Sequence, residues 1–323
     1  MNALRLGTRG SQLALVQAQA VAAAIEAAGG PASAIVVIKT SGDRLAEAPL
    51  GQVGGKRLFV KEIEDALLRN DIDLAVHSSK DMPVILPDGL VIGAVLPRED
   101  PYDALILRAP LAARSLQDAI PVLGSSPSVG TGSVRRIAQL TRLMPGARFE
   151  PIRGNLDTRL GKLDRGEYDA LVLAAAGMKR LGVQARISVT LPVNACVPAP
   201  GQGAIAVEVR ANDAGVRQWI GSINDAASSS ALQAERALVA ALGGGCQTPI
   251  GALALPEGPA GLELHAVVVS LDGRRALRHR DRGARADAPM LGRRVAEQLI
   301  KDGAADILCG LQGSRAAVEG IQP

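Results

Sequence analysis

Two short segments combine arginine with hydroxyl residues at points where a helix is about to begin. Thr8-Arg9-Gly10-Ser11 precedes one helical pattern, and Gly130-Thr131-Gly132-Ser133-Val134-Arg135-Arg136 precedes another. A helix N-terminus favours anions, because its backbone N–H groups and its dipole present positive charge. Arg135 and Arg136 in a first turn oppose that dipole, and an anionic ligand would remove the conflict. An ordinary helix cap with solvated arginines is the alternative at both places.

Further arginines follow predicted strands in the second half of the chain. Arg153 and Arg159 bound the segment between one strand and a helix, and Arg180 comes after another strand. Because α/β sheets bind ligands at the carboxyl ends of their strands, we expect these side chains to converge. Arginine is suited to bidentate recognition of carboxylates. The pattern therefore predicts a ligand with several carboxylate groups.

An acid beside a base ends a strand of the first half, in His77-Ser78-Ser79-Lys80-Asp81. Two interpretations stay open. Lys80 and Asp81 form a structural ion pair, or Asp81 is a single carboxylate kept in a basic cleft to stabilise a cation. We assign no role to His77.

A cysteine stands on a glycine-rich loop, Gly243-Gly-Gly-Cys246-Gln-Thr-Pro-Ile-Gly251. An accessible thiol there is a candidate for covalent attachment. No histidine lies nearby in the sequence, which argues against a protease-like Cys–His pair. Cys196 and Cys309 lie among apolar residues, and we expect them to be buried. The three cysteines are too widely spaced for a zinc knuckle and do not indicate a disulfide framework, so no metal is predicted.

The composition excludes several classes of protein. The chain has 323 residues, a net charge of +4 and 47% hydrophobic residues, which predicts two or three packed domains. Its few aromatic residues argue against a base-stacking nucleic-acid platform. Apolar stretches fall short of the roughly 20 residues that span a bilayer. The N-terminus lacks a secretory pattern, so we expect a cytoplasmic protein. The basic region 274–294, with Arg278, Arg280 and Arg282 alternating, is typical of a solvated strand face.

The elements that must position these residues alternate between strand and helix. Up to residue 96 the patterns predict strands at 4–7, 34–39, 73–77 and 90–96, helices after Ser11 and at 58–69, and a loop at 40–55. From 103 to 210 they predict strands at 103–107, 122–124, 148–152, 170–174 and 204–210 and helices at 133–143 and 156–163. Both halves thus favour α/β units with largely parallel sheets.

Two proline-containing segments, 97–101 and 198–203, are hinge candidates between these halves. The rest of the chain has a different pattern. It predicts a helix at 230–242, strands near 250–255, 262–269 and 275–280, and a helix at 290–302. This order is typical of a small α+β domain with an antiparallel sheet.

Taken together, the motifs resemble those of the porphobilinogen deaminase (hydroxymethylbilane synthase) family, over nearly the whole chain. The matching stretches are 4–15 (LRLGTRGSQLAL), 39–43 (KTSGD), 54–62 (GGKRLFVKE), 75–83 (AVHSSKDMP), 98–101 (REDP), 153–155 (RGN), 200–203 (PGQG), 235–236 (ER) and 244–251 (GGCQTPIG).

The resemblance implies a transferase of tetrapyrrole biosynthesis. The family joins four porphobilinogen molecules head to tail and releases ammonia each time. The chain grows on a dipyrromethane cofactor that is held by a thioether to a cysteine, which matches Cys246. The family's catalytic aspartate matches Asp81.

The resemblance also implies which residues hold the carboxylates. For the cofactor these are Lys80, Ser78, Thr131, Ser133, Arg135, Arg136, Arg153 and Gly154. For the substrate they are Arg9, Ser11, Gln17, Lys56, Arg159 and Arg180. Two departures bear on this grip: Gln52 stands where a basic residue is common, and Gly132 where a second serine is common.

The implied fold has three domains. Domain 1 (1–98 plus 203–222) and domain 2 (102–199) resemble the two lobes of type II periplasmic binding proteins around a cleft. Domain 3 (226–323) is a small α+β domain with a three-stranded antiparallel sheet that carries Cys246. The resemblance suggests a monomer that acts on a small molecule, without nucleic acid or membrane, and passes its product to the next pathway enzyme. A non-enzymatic binding protein for a small anion is the rival interpretation.

Overall fold

The computed structural model describes residues 3–44, 60–245 and 248–309 and is built around three β-sheets. Up to residue 95 the elements are β1 (Leu4–Thr8), α1 (Gln12–Ala27), β2 (Ser33–Val37), α2 (Ser41–Arg44), α3 (Lys61–Leu68), β3 (Leu74–Ser78) and β4 (Leu90–Val95). The next are β5 (Asp103–Leu107), α4 (Leu116–Leu123), β6 (Ser128–Gly130), α5 (Val134–Leu140), β7 (Arg148–Glu150), α6 (Leu156–Asp164), β8 (Ala170–Ala174), α7 (Ala175–Arg180) and β9 (Val189–Thr190). The last are β10 (Ile205–Arg210), α8 (Ala214–Ser222), α9 (Ala226–Ala241), β11 (Ile250–Glu257), β12 (Gly261–Val269), β13 (Ala276–Ala284) and α10 (Ala288–Lys301).

Two five-stranded sheets form a first and a second lobe, in the orders β2-β1-β3-β10-β4 and β7-β6-β8-β5-β9. In each sheet four strands run in one direction, and the fourth strand of the order, β10 or β5, runs antiparallel to both of its neighbours. The α/β class and the prediction of largely parallel sheets are confirmed, with one antiparallel strand in each sheet. The exceptions come from the crossing chain: β5 and β10 each arrive from the other lobe and run against the strands they join.

Several predicted elements of the second lobe are corrected by the structure. Residues 122–124 are not a strand, because α4 continues to Leu123 and the strand is β6. Leu116, Ala119 and Leu123 recur at helical spacing and are buried in the lobe's core. This burial outweighs the cost of Pro121 inside a helix of only two turns. The helices α7 and α8 were not predicted, and part of the predicted loop 40–55 is the short helix α2.

The third unit has the predicted order, with α9, three antiparallel strands and α10. One face of its sheet packs on both helices, where Leu264, Leu238 and Leu291 share a core. The other face contacts the second lobe, through Val267 and the side chain of Val197 among others. The third unit therefore packs against the rest of the molecule and is not connected to it by a linker alone.

A buried ion pair joins the two crossing segments to the third unit. Arg98 Nη1 lies 2.6 Å from Glu235 Oε1, and the side chain of Glu235 is fully buried. The backbone N–H of Gly201 donates to the other oxygen, at 2.6 Å, and that of Ala254 donates to the first, at 2.8 Å. One carboxylate thus binds residues of both crossing segments and of β11.

Candidate active site

In the first lobe, the functional residues follow the carboxyl ends of two neighbouring parallel strands, β1 and β3. Ser11 caps α1, because its Oγ accepts a hydrogen bond from the N–H of Ala14 at 3.3 Å. Lys80 and Asp81 stand on a single 3-10 turn directly after β3. Parallel strands end at the same sheet edge, so the β1 and β3 termini open on one side of the lobe.

The second lobe repeats this arrangement. Ser133 caps α5 after β6, and Asn155 caps α6 after β7, accepting from the N–H of Thr158 at 2.9 Å. Arg159 Nε donates to the carbonyl of Gly154 at 2.9 Å. Gly154 has a φ of +103°, and a Cβ there would lie 2.8 Å from a side-chain carbon of Thr158, so this turn requires glycine.

Charged groups of the two lobes face one another across the space between these sheet edges. Desolvation lowers the pKa of Lys80 to about 8, while the charges of Asp81, Arg135 and Arg136 act on it from both lobes. Burial also lowers the pKa of Arg159, on which Arg136 and Asp81 act in addition. The side chain of Asp81 is exposed. The structure therefore brings together one accessible carboxylate and four basic groups.

A cavity with about 590 Å³ of empty space lies at this junction and is partly open to solvent. Lys80 lines it from the first lobe, and Ser133 and Arg135 line it from the second. Gly245 and Thr248 line it from the third unit. Cys246, Lys56 and Gln52 lie outside the described residues. All three parts of the molecule thus contribute to one cavity.

The sequence analysis missed a buried acid that pairs with the two arginines. Asp103, the first residue of β5, is fully buried and forms ion pairs with Arg135 and Arg136, each at 2.7 Å. The two guanidinium groups hold the pKa of the Asp103 carboxyl well below its usual range. Both arginines are therefore not solvated surface residues, which excludes that alternative. The sequence shows that the two arginines stand at a helix start. It does not show that Asp103, 32 residues before Arg135, is their partner.

The other predicted residues are located as follows. Arg9 is paired with Asp43, which also accepts a 2.7 Å bond from the Thr40 hydroxyl. Arg180 ends α7 and donates to the carbonyl of Gly203 at 2.7 Å, so it lies at the crossing segment and not at a strand end as predicted. Gln17 and Thr131 are buried, and Ser78 and Arg153 are half-buried.

Residues without an expected role also have definite surroundings. His77 is buried beside Glu208, with Nε2 2.9 Å from Oε2. Cys196 is buried as predicted, but the prediction that Cys309 is buried is wrong. Residues 304–309 form a short helix that buries Ala304 and Ile307, and Cys309 lies on its exposed side. Arg278, Arg280 and Arg282 are exposed on β13, as the alternation predicted.

Within the described ranges, no cluster of histidine, cysteine, aspartate or glutamate could hold a metal ion. Among the helices in that part of the chain, none is both long and apolar enough to cross a membrane.

Comparison with solved structures finds matches of low identity and low TM-score. The substrate-binding domain 2 of GlnP from Lactococcus lactis is 12% identical, with a TM-score of 0.42 over 75% of this chain and 91% of that domain. An ancestral arginine-binding protein is 16% identical, with a TM-score of 0.37 over 69% of this chain and 91% of its own.

Two family models match most of the chain. Residues 4–218 match "Porphobilinogen deaminase, dipyromethane cofactor binding domain", and residues 230–301 match "Porphobilinogen deaminase, C-terminal domain". The porphobilinogen deaminase of Syntrophobacter fumaroxidans is 46% identical over 94% of this chain and 96% of the relative. That of Moorella thermoacetica is 44% identical over 98% of this chain and 99% of the relative. The chain belongs to the porphobilinogen deaminase family, the hydroxymethylbilane synthases of tetrapyrrole biosynthesis, and contains the family's dipyrromethane cofactor-binding domain.

Proposed function

We propose that Asp81 is the catalytic residue with which this chain joins four porphobilinogen molecules head to tail into hydroxymethylbilane. The proposal is supported by the arrangement of charges beside one cavity. Asp81 and Lys80 of the first lobe face three arginines of the second lobe, which are Arg135, Arg136 and Arg159. A single accessible anion in such basic surroundings is suited to a reaction in which a cation forms on a polycarboxylate.

The chemistry of each addition requires such an anion. The C–N bond of the substrate's aminomethyl group breaks and ammonia leaves, while the pyrrole nitrogen supplies the electron pair, which gives an azafulvenium-like cation. A C–C bond then forms to the free α-carbon of the preceding ring, which loses its proton. The carboxylate of Asp81 lowers the energy of the cation, which the arginines alone would repel.

The basic and hydroxyl residues hold the acetate and propionate groups. We assign Ser78, Lys80, Thr131, Ser133, Arg135, Arg136, Arg153 and Gly154 to the cofactor, and Arg9, Ser11, Gln17, Lys56, Arg159 and Arg180 to the incoming substrate. The donor chemistry supports this division, since guanidinium and hydroxyl groups bind carboxylates by charge-assisted hydrogen bonds. Each carboxylate that is held in this way also fixes the orientation of its ring.

The cavity fits a dipyrromethane that is attached at Cys246. Lys80, Ser133 and Arg135 line it with donors, while Gly245 and Thr248, near Cys246 in sequence, line it from the third unit. When bound, the dipyrromethane supplies the free pyrrole α-position to which the first substrate is joined. The chain's own contribution is to bind its carboxylates and to keep the thiol within reach of them.

We further propose the domain limits 1–98 plus 203–222, 102–199 and 226–323, and a monomer that hands its product to the next enzyme of the pathway. We assign the protein to the cytoplasm. The two described cysteines, Cys196 and Cys309, are free thiols, which suits a reducing compartment.

Intact mass spectrometry tests the attachment. We expect the wild-type chain to carry the added mass of two pyrrole units and Cys246→Ser to show the bare polypeptide. Cys309→Ser, which removes another exposed thiol, is the matched control and should keep the adduct. A bare wild-type chain that binds small anions would indicate a binding protein instead.

Turnover tests the role of Asp81. Asp81→Asn keeps the size of the side chain and removes the countercharge of the cation, so we expect kcat to fall by about a hundredfold or more. The variant should still carry the adduct. Wild-type kcat in Asp81→Asn would reject the assignment.

A further inference from the structure

A buried carboxylate pairs with Arg135, which lines the cavity, and with its neighbour Arg136. Asp103 begins β5, directly after the crossing segment 97–101, and its side chain is fully buried. Its Oδ2 accepts from Arg135 Nη1 at 2.7 Å, and its Oδ1 accepts from Arg136 Nε at 2.9 Å. Both arginines are themselves more than nine-tenths buried. This contact therefore decides where the two guanidinium groups point.

Backbone carbonyls also accept hydrogen bonds from the two groups. Arg135 Nη1 also donates to the carbonyl of Val197 at 2.7 Å, and Arg136 Nη1 donates to that of Val172 at 2.8 Å. Each guanidinium is thus bonded both to the carboxylate and to a strand or loop of the second lobe. Rotation of either group would break several of these bonds, so the pair is preorganised before any ligand arrives.

The carboxylate also offsets a repulsion. Two buried guanidinium groups on consecutive residues repel each other, and the Asp103 charge between them lowers that energy. The pKa of Asp103 is depressed by both arginines, and the pKa of Arg135 is raised by Asp103. Two guanidinium cations and one carboxylate give the cluster one net positive charge to offer a ligand.

The same carboxylate is linked to both crossing segments. Gln202 Nε2 donates to Asp103 Oδ1 at 3.0 Å and to the carbonyl of Pro101 at 2.7 Å. Arg98 Nε donates in turn to the carbonyl of Gln202 at 2.8 Å. The orientation of the arginine pair is therefore set at the point where the chain passes between the lobes.

We propose that Asp103 is a positioning residue for the bound pyrrole chain: it holds Arg135 and Arg136 ready to receive carboxylates at the cavity. The inference rests on the proposed function, because it concerns the same cavity. It predicts that the charge and reach of Asp103 control cofactor acquisition and substrate affinity as well as stability.

Three variants separate positioning from a merely structural ion pair. Asp103→Asn removes the charge, and Asp103→Glu keeps the charge but displaces the carboxylate by one methylene. Glu235→Gln is the matched control, since it weakens another arginine–carboxylate pair at the crossing segments, one whose acid is fully buried, and changes no direct partner of Arg135 or Arg136. For each we would measure the thermal midpoint, the fraction carrying the two-pyrrole adduct by intact mass, and kcat and KM for porphobilinogen.

We expect Asp103→Asn and Glu235→Gln both to lower the thermal midpoint. Only the Asp103 variants should lower the adduct-bearing fraction and raise KM by about tenfold or more, with a smaller change in kcat. Asp103→Glu supplies this result if Asp103→Asn does not fold. Adduct fraction and KM in Asp103→Glu equal to those of Glu235→Gln would overturn the inference. A wild-type chain without the adduct would instead reject the proposed function.

Discussion

Lys80 and Asp81 are neighbours in sequence but have different surroundings. The ammonium of Lys80 is desolvated and faces the arginines of the second lobe, whereas the carboxylate of Asp81 is exposed. A lysine with a lowered pKa loses its charge earlier as the pH rises, and with it the attraction for carboxylates. The contribution of Lys80 can therefore be tested by its response to pH.

The pH dependence of cofactor acquisition tests Lys80. Its pKa of about 8 means that the cation is present below that pH and is lost above it. We expect the rate at which cofactor-free protein gains the two-pyrrole mass from porphobilinogen to fall as the pH rises through this value. Lys80→Arg stays protonated and should not show the fall. Parallel pH profiles for the two proteins would contradict the assignment.

At the scale of elements, helix starts carry the hydroxyl donors. Ser133 caps α5 and lines the cavity, whereas Ser115 caps α4, and no residue of α4 lines it. The two serines make the same local contribution to a helix. They differ only in whether the hydroxyl also lies beside the proposed ligand.

This pair gives a matched test of the element. Ser133→Ala and Ser115→Ala should each lower the free energy of unfolding by about 0.5–1 kcal/mol, measured by urea denaturation, because each removes a cap. Only Ser133→Ala should also raise KM for porphobilinogen, by about three- to tenfold, through a lost hydrogen bond to a carboxylate. If Ser133→Ala and Ser115→Ala had equal KM values, Ser133 would act only as a helix cap.

For the whole molecule, the Arg98–Glu235 pair is a polar contact that joins the crossing segments to the third unit. It binds both crossing segments to α9 and β11 through one carboxylate. Helix α9 leads into the loop that contains Cys246. The contact therefore bears on the stability with which the third unit is held to the two lobes.

Removal of that carboxylate should destabilise the fold strongly. Glu235→Leu leaves Arg98 buried without its charge partner. We expect the free energy of unfolding, measured by urea denaturation, to fall by about 3–5 kcal/mol. Asp65→Asn is the control, since it breaks an exposed pair with Lys61 and should cost at most about 0.5 kcal/mol. Similar losses in both variants would mean that the buried pair contributes little.

Local patterns in the sequence were enough to predict many elements and caps. The strands at 103–107 and 170–174 have the predicted limits, and Ser11 and Ser133 cap the helices they were expected to begin. These features depend on neighbours within a few residues, so local composition and spacing are sufficient to predict them. The helix α4 was missed for the same reason, since Pro121 is a strong local signal and core burial is not local.

The sequence by itself determined the family, the alternation of strand and helix, and the residue types that gather at strand ends. Only the tertiary structure decided the direction of β5 and β10 in their sheets and the partners of the buried charges. Asp103 pairs with Arg135 and Arg136 because the chain enters the second lobe through segment 97–101 and begins β5 beside α5. Such a pairing is set by the packing of distant segments, and no local pattern of residues specifies it.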